Sequence, residues 1–537
     1  MKLFSMNPWR ALRLFAQTGT RLAVAAVVLG CGDNYRPVIT PVQGSGPPPQ
    51  PPSYAVAVSA PSPTAPGIVT IIDYSGDSIE TEAPIGPGPT VFTVDATGSS
   101  GYTINSDGTL SNFQISTTLQ AKYVATSTLP PTAIPVNLTA PSSALWATDL
   151  DGNVVDYFSG SPEAFKLAIP LATPESPATM PVMVSGLSGS NGQREYVISQ
   201  NVSDTEPTFC NNPSNFGSAP LGAATPIEVA SSTTDPAIPV GRCPVAALET
   251  TDQQRLFVLN RGDDTITVIN ASINALDFCT PFQNQNGQTV HCHPTLPLSL
   301  DAVTATGITP PNGTAGMTAT AGPVFAEYNA ATEQLAVANY DGGTMSVIDV
   351  SLDQYGNDSA TFGTTYTIPV GSGATAKPNP AAVTVLYDGS KAYTANQNDD
   401  STPGGKGSGT VSVVNLSTHT VEKTLTVVGH PRTVVSTQNS EYSKVYVASP
   451  DSPFITIIQS TPTVTDLIDT TLLLEGNVVD VRVTTLNGGT SSNDYFWSRV
   501  PGYGQPCNLS DVQLKSQYGQ NYLSTLTLGK CQEQVLP

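Results

Sequence analysis

The sequence predicts an all-β fold assembled from repeated four-stranded antiparallel units, on three observations. The 537 residues include 47 prolines and 45 glycines with only 12% charged side chains, a balance that disfavours long helices and supplies turns. Hairpin-like pairs of β-branched segments recur along most of the chain. No helical periodicity separates one pair from the next.

Taken in order, residues 1–30 read apart from the rest. Lys2, Arg10, Arg13 and Arg21 form a basic start, and Leu22 to Leu29 is an apolar run well short of the ~20 residues a spanning helix needs. That is the pattern of a signal peptide. It ends in Val28-Leu29-Gly30-Cys31-Gly32, which resembles the lipobox of bacterial lipoproteins, although Leu29 departs from the small residue usual there. The resemblance implies lipidation of Cys31 and a cell-envelope location, with the chain lipid-anchored to a membrane and facing periplasm or exterior. Gly32, in place of Asp, implies outer-membrane sorting. Residues 31–53 follow as a tether, since Asn34 to Ser53 is proline-dense and lacks apolar periodicity, which favours an extended polyproline II spacer.

Residues 54–537 carry the repeat. One strand pattern appears as Val69–Asp73, Ile266–Asn270, Met345–Asp349, Val411–Asn415 and Ile455–Gln459. A partner strand precedes four of these: Leu256–Asn260, Leu335–Asn339, Ala392–Asn396 and Val445–Ser449. A third element ends at a Gly-x-Pro or similar break, as in Ile85–Thr90, Ile238–Pro244, Ile368–Gly371 and Leu425–Pro431. An apolar stretch such as Val245–Leu248 or Ala381–Leu386 then leads into the next hairpin, so each unit holds four strands. Weaker copies lie near Tyr102, Leu145 and Tyr196. Unit starts at Leu256, Leu335, Ala392 and Val445 are 79, 57 and 53 residues apart, more than the ~40–45 of a WD40 blade. The excess falls in insertions expected near 200–225, 271–322 and 397–409.

Serial antiparallel units of this kind predict a β-propeller. C-terminal strands around Thr471–Glu475, Val478–Val483 and Tyr495–Arg499 lack a hairpin of their own, and are expected to complete the blade begun at the N-terminus and close the ring. The best units, Ala392–Asn396, Gly409–Asn415 and Leu425–Pro431, resemble the YVTN family of β-propeller repeats found in surface-layer and lactonase-like propellers. The resemblance covers about residues 54–500. Hairpins number eight, whereas the family usually has seven blades, so seven or eight blades remain open, with the first unit the weakest.

Seven cysteines less Cys31 leave Cys210, Cys243, Cys279, Cys292, Cys507 and Cys531, an even number that suits an oxidising compartment. Six cysteines allow fifteen connectivities. Short loops favour Cys210–Cys243, Cys279–Cys292 and Cys507–Cys531, the last in a C-terminal disulfide-bearing segment. There is no CxxC pair, which removes most support for zinc-ribbon and thioredoxin-type readings.

Forty-two acidic against 21 basic side chains give a net charge of −21, so nucleic acid is excluded as a natural partner. The four histidines are His291, His293, His419 and His430. His291-Cys292-His293 looks like part of a metal cluster, but Cys292 has a disulfide partner in Cys279 and no fourth ligand is in view. His430 reads as a loop residue near the blade top. Asp149-Leu-Asp-Gly-Asn153, Asp263-Asp264 and Asp399-Asp400 offer oxygen ligands of the kind calcium takes, yet equally form ordinary hairpin turns. No GxSxG, P-loop, GxGxxG, HExxH or CxxCH motif occurs, so no cofactor, metal or catalytic residue is assigned. The expectation is a membrane-anchored binding or scaffolding module for an unknown envelope protein or glycan. The family resemblance supplies the alternative, a lactonase-like hydrolase acting on a sugar lactone or related ester.

Overall fold

The computed structural model describes residues 53–484, except for segments 142–143, 151, 173–177, 187–193, 203–209, 211–212, 284–286, 288, 299–320, 374–377, 400–407, 438–442 and 462–463. The signal peptide, Cys31, the tether, Tyr495–Arg499, Cys507 and Cys531 lie outside the described residues.

Eight antiparallel blades form the propeller. Blade 1 holds Tyr54–Ala60, Pro66–Asp73 and Ser78–Pro87, with Asn477–Val483 as its innermost strand. Blades 2 to 8 follow in order over residues 89–128, 135–170, 181–242, 244–297, 323–369, 380–428 and 433–473. Each of these seven runs from innermost to outermost strand along the sequence. Innermost strands of successive blades pack on one another, and Asn477–Val483 packs between those of blades 8 and 2, which closes the ring. Its register pairs Ala55 with Val483 and Ala60 with Asn477. The junction is tied at its end by Tyr54 N to Thr484 Oγ1, 2.8 Å, and Thr484 N to Tyr54 O, 2.9 Å. Closure pairs the edge that an open array would leave exposed.

The weak first unit is therefore a true blade, and the count is eight. Of the C-terminal segments expected to complete blade 1, Val478–Val483 does so, whereas Thr471–Glu475 does not: residues up to Leu473 finish the outermost strand of blade 8, Val464–Leu473. Its apolar run suits either sheet, and pairing with Phe454–Thr461 decides the matter. Within 271–322, Ala275–Leu276 and Thr295–Pro297 both pair with Thr265–Asn270, so the outermost strand of blade 5 is interrupted by an insert.

The core lies between blades rather than at one centre. Leucine, valine and aromatic side chains from facing sheets interlock at each junction, for example Val58 and Ile71 with Phe92 and Phe113, or Trp146 and Val155 with Val197 and Ile227. This follows from the period of two in a strand, which sends alternate side chains to opposite neighbours.

The repeated motif itself is an inter-blade latch. The asparagine that ends the second strand turns its Nδ2 onto two hydroxyls of the third: Asn105 onto Thr109 and Ser111, Asn260 onto Thr265 and Thr267, Asn339 onto Thr344 and Ser346, Asn396 onto Thr410 and Ser412, all at 2.8–3.1 Å. The same inner hydroxyl accepts an N–H from the preceding blade, Gly86 to Ser111 at 3.0 Å, Gly241 to Thr267 at 3.3 Å and Gly371 to Ser412 at 2.8 Å. Glycine is required because the amide lies over it: a Cβ on Gly86 would sit 2.3 Å from Asn105 Nδ2.

Opposite the latch, basic residues at the start of second strands reach acids on the next blade. Arg255 meets Asp358 at 3.1 Å, Lys391 meets Asp466 at 2.5 Å and Lys444 meets Asp77 at 2.6 Å, the last across the closing junction. Two residues on, Tyr102 and Tyr393 donate their hydroxyls to Glu163 and Asp466 of the following blades.

Candidate functional site

Strand direction gives the propeller two faces. Loops joining second to third strands, and outermost strands to the next blade, emerge on one face, called upper. Loops joining innermost to second and third to outermost strands emerge on the lower face.

The channel edge is closed by side chains. Each innermost strand has one unpaired edge, and backbone polar groups buried there need partners. Adjacent blades supply them: Asn137 Oδ1 accepts from Val184 N at 2.9 Å, Glu327 Oε1 from Val385 N at 3.1 Å and Thr384 Oγ1 from Ser436 N at 3.1 Å. Arg432 Nη2 donates to Val479 O at 2.6 Å, and Thr433 Oγ1 to Asp480 Oδ1 at 2.9 Å. These bonds join the innermost strands of adjacent blades.

On the upper face, loops of blades 4 to 7 join into one platform. The Cys210–Cys243 disulfide, Cα–Cα 5.4 Å, ties the long loop of blade 4 to the start of blade 5, and Met180, Val202, Phe216 and Ala219 pack around it. Arg261 makes a two-pronged pair with Asp341, Nε–Oδ2 and Nη2–Oδ1 both 2.8 Å, with both side chains buried. Its guanidinium lies over Phe216 at 5.6 Å and Tyr340 at 5.4 Å. Tyr340 extends the network, its hydroxyl donating to Gln397 at 3.2 Å and its carbonyl accepting from Asn379 at 3.0 Å.

The acidic turns singled out in the sequence are occupied by protein donors. Asp149 accepts from Ile134 N at 2.6 Å, and Asn153 from Met180 N at 2.7 Å. Asp263 pairs with Arg242 at 2.9 Å, and Asp399 holds Ser372 and Thr410. Asp264 accepts from Gly322 N at 2.7 Å, and burial raises its pKa to about 6. Asp151 and Asp400 lie outside the described residues.

His430 proves to be half of a dyad. Its Nδ1 lies 2.5 Å from Asp451 Oδ2 and its backbone N donates to Asp451 Oδ1 at 2.8 Å, with both side chains 36% exposed. Burial pushes the Asp451 carboxyl up, but the bonds from His430 outweigh it and hold it below its usual value. A neutral ring donating from Nδ1 keeps Nε2 as the basic nitrogen, the arrangement a general base requires.

The other histidines are absorbed elsewhere. His293 Nδ1 meets Asp358 Oδ2 at 2.7 Å and its ring stacks on Phe362 at 5.2 Å, in a group with Arg255 and Asp277. Cys292 bonds Cys279, Cα–Cα 5.5 Å, and His291 is exposed. His419 stacks on Tyr366 at 3.7 Å, and burial lowers its pKa. Among the described residues no group of three or more His, Cys, Asp or Glu is placed to hold a metal ion.

Sequence reasoning missed Arg261, Asp341, Asp451, Arg255 and Asp358. Asp341 and Asp451 stand in turns that signal only a hairpin, and the partners are 80, 21 and 103 residues from the groups they hold.

These burials set a pH dependence. Desolvation raises Asp77, Glu163, Glu195, Asp264 and Asp277 above the ordinary carboxyl value. A raised carboxyl binds its proton in the native chain where the unfolded chain has lost it, so stability increases as pH falls from about 6 to about 4. Asp451 and Asp466 are lowered, because bonds from His430, and from Lys391 and Tyr393, outweigh burial, and their contribution is lost only below about pH 4. Calorimetry should find a higher melting temperature at pH 5 than at pH 8; a lower melting temperature at pH 5 than at pH 8 would contradict the assignment.

No family model and no curated protein matches the chain. Solved structures do. The dihydro-heme d1 dehydrogenase NirN in complex with DHE aligns at a TM-score of 0.50 and 13% identity, over 83% of this chain and 78% of that one. AztD of Citrobacter koseri aligns at 0.47 and 9%, over 80% and 98%. A Bacteroides fragilis protein provisionally named 6-phosphogluconolactonase aligns at 0.44 and 13%, over 82% and 99%. At such identities the likeness is one of fold alone.

Proposed function

We propose that the chain is a lipid-anchored, extracytoplasmic propeller of the YVTN type that binds an envelope protein or glycan on its upper face. The observation that carries this reading is the platform held by Cys210–Cys243 and the buried Arg261–Asp341 pair. Both devices stabilise a long loop that the ring itself does not need, and rigid loops on a scaffold are where recognition concentrates. Two disulfides support an oxidising compartment. The test is affinity capture from envelope extracts with the full chain beside a Cys210→Ser/Cys243→Ser variant. A reproducible partner or glycan retained by the former and lost by the latter is the expected result. Equal retention, or none by either, removes the upper-face reading. Palmitate labelling of the full chain and Cys31→Ala tests the anchor, and equal label ends it.

The His430–Asp451 dyad favours one second reading, hydrolysis of a lactone or ester with His430 as general base. A lactone and ester screen with the full chain and His430→Gln decides it: turnover abolished by the substitution supports it, and inactivity across the screen ends it.

A further inference from the structure

We infer that the lower face meets a lipid surface, with Ile273, Phe278, Tyr355 and Tyr387 entering the boundary between headgroups and acyl chains. The inference rests on the lipid-anchor reading for the source of the bilayer, but on separate residues for the contact.

Strand direction places Tyr54, beside Thr484, at the lower end of blade 1, so the described chain enters the propeller on this face. The exposed tyrosines share that sidedness, and exposed Phe278 and Phe282 lie in the insert of blade 5. Tyr123 lies in the loop before the outermost strand of blade 2, Tyr355 in that of blade 6, and Tyr387 in the loop after the innermost strand of blade 7. Tyr366 is the second residue of the outermost strand of blade 6, at its lower end. Ile273, 66% exposed, lies in the lower turn of blade 5, and Phe278, 75% exposed, begins the insert clamped by Cys279–Cys292, which leaves the outer edge of the blade opposite Val268, next to the lower end of the strand. None of the exposed aromatics among the described residues is in an upper loop.

Three adjacent blades bring the central members together. Arg255 of blade 5 donates to Gly356 O, next to Tyr355, and Asn329 of blade 6 donates to Tyr387 O of blade 7. Charge fits the same occupant. From Ala271 to Pro297 the one Asp, Glu, Lys or Arg is Asp277, and it is buried against Arg255, so no ion need be stripped of water when this segment meets lipid. Exposed Asp252, Glu333 and Asp388 border the patch, which makes a zwitterionic surface a better fit than an anionic one. Amphipathic aromatic rings partition to the headgroup level, and a second contact added to a lipid tether becomes intramolecular.

The test uses the full chain from Cys31 onward, carrying Cys31→Ser so that no acyl group contributes. Flotation with phosphatidylcholine vesicles should recover bound protein, with less on vesicles containing phosphatidylglycerol at low salt. Ile273→Ser/Phe278→Ser/Tyr355→Ser should reduce the bound fraction on the order of tenfold, with unchanged melting temperature because all three are exposed. A Phe278→Trp probe should shift its emission to the blue when vesicles are added. Absence of flotation together with unmoved emission overturns the proposal. So does capture of an envelope protein that depends on the same three side chains while vesicles are ignored. If Cys31 carries no label yet the Cys31→Ser chain floats, the anchor reading fails and the lower-face contact stands.

Discussion

Replacing Gly86 with alanine is expected to loosen the junction of blades 1 and 2, at a cost of about 3 kcal/mol. The new Cβ would lie 2.3 Å from Asn105 Nδ2, 2.5 Å from its Cγ and 2.8 Å from Thr109 Oγ1, none of which can retreat without breaking the amide–hydroxyl bonds. The backbone here needs no unusual dihedral, so close approach alone selects glycine. Asn105→Ala alone should cost about 1–3 kcal/mol by stripping the amide from the buried Ser111 hydroxyl and the half-buried Thr109 hydroxyl. The decisive measurement is the double-mutant cycle by chemical denaturation. Because removal of the Asn105 amide opens the space the methyl needs, the pair should cost clearly less than the sum of the singles, a coupling of about 0.5–3 kcal/mol. Strict additivity would show that Gly86 is not selected by the latch.

Arg255→Met should be at least as damaging, at about 3–5 kcal/mol. The guanidinium sits in the lower junction of blades 5 and 6 against Asp358 at 3.1 Å and Asp277 at 3.4 Å, with all three side chains almost fully buried. Loss of the cation leaves Asp277 and Asp358 facing each other in a low-dielectric space with only the His293 ring, on Asp358, as a remaining side-chain partner, which costs more than the ion pair was worth. Asp358→Asn added to Arg255→Met should recover a large part of the loss, since it removes one of the stranded charges. Burial already raises Asp277, so the penalty should shrink as pH is lowered from 7 to 5 and that carboxyl takes up its proton. A penalty that holds constant with pH would point to lost packing instead.

Much of the architecture was legible because strand period and turn chemistry are local. The pairs Leu256–Asn260 with Ile266–Asn270 and Ala392–Asn396 with Val411–Asn415 appear in the structure as adjacent strands. A glycine followed within three residues by proline marks the passage between blades at Gly86, Gly241 and Gly429, as the recurrence of that break suggested. The outermost strand of blade 5 was not legible, because two- and three-residue strands separated by an insert leave no period to detect. The assignment of Thr471–Glu475 failed for a related reason: an apolar run states that a strand exists, but not which sheet receives it. At the candidate sites, His430 could be seen and Asp451 could not, since nothing in a Ser-Pro-Asp-Ser turn distinguishes a carboxylate that meets a histidine from one that meets water.

By itself the sequence determined the repeating unit, its four strands, the glycine and asparagine that recur in it, and the cysteines from which two short-loop disulfides form. These depend on interactions within a few tens of residues, where chain order and proximity nearly coincide. Only the tertiary structure decided that there are eight blades, that Asn477–Val483 closes the first, and which charged side chains bridge which junctions. Those outcomes depend on how far each sheet turns relative to its neighbour around a ring, a quantity summed over the whole circuit, and the contact that completes it joins residues 430 positions apart.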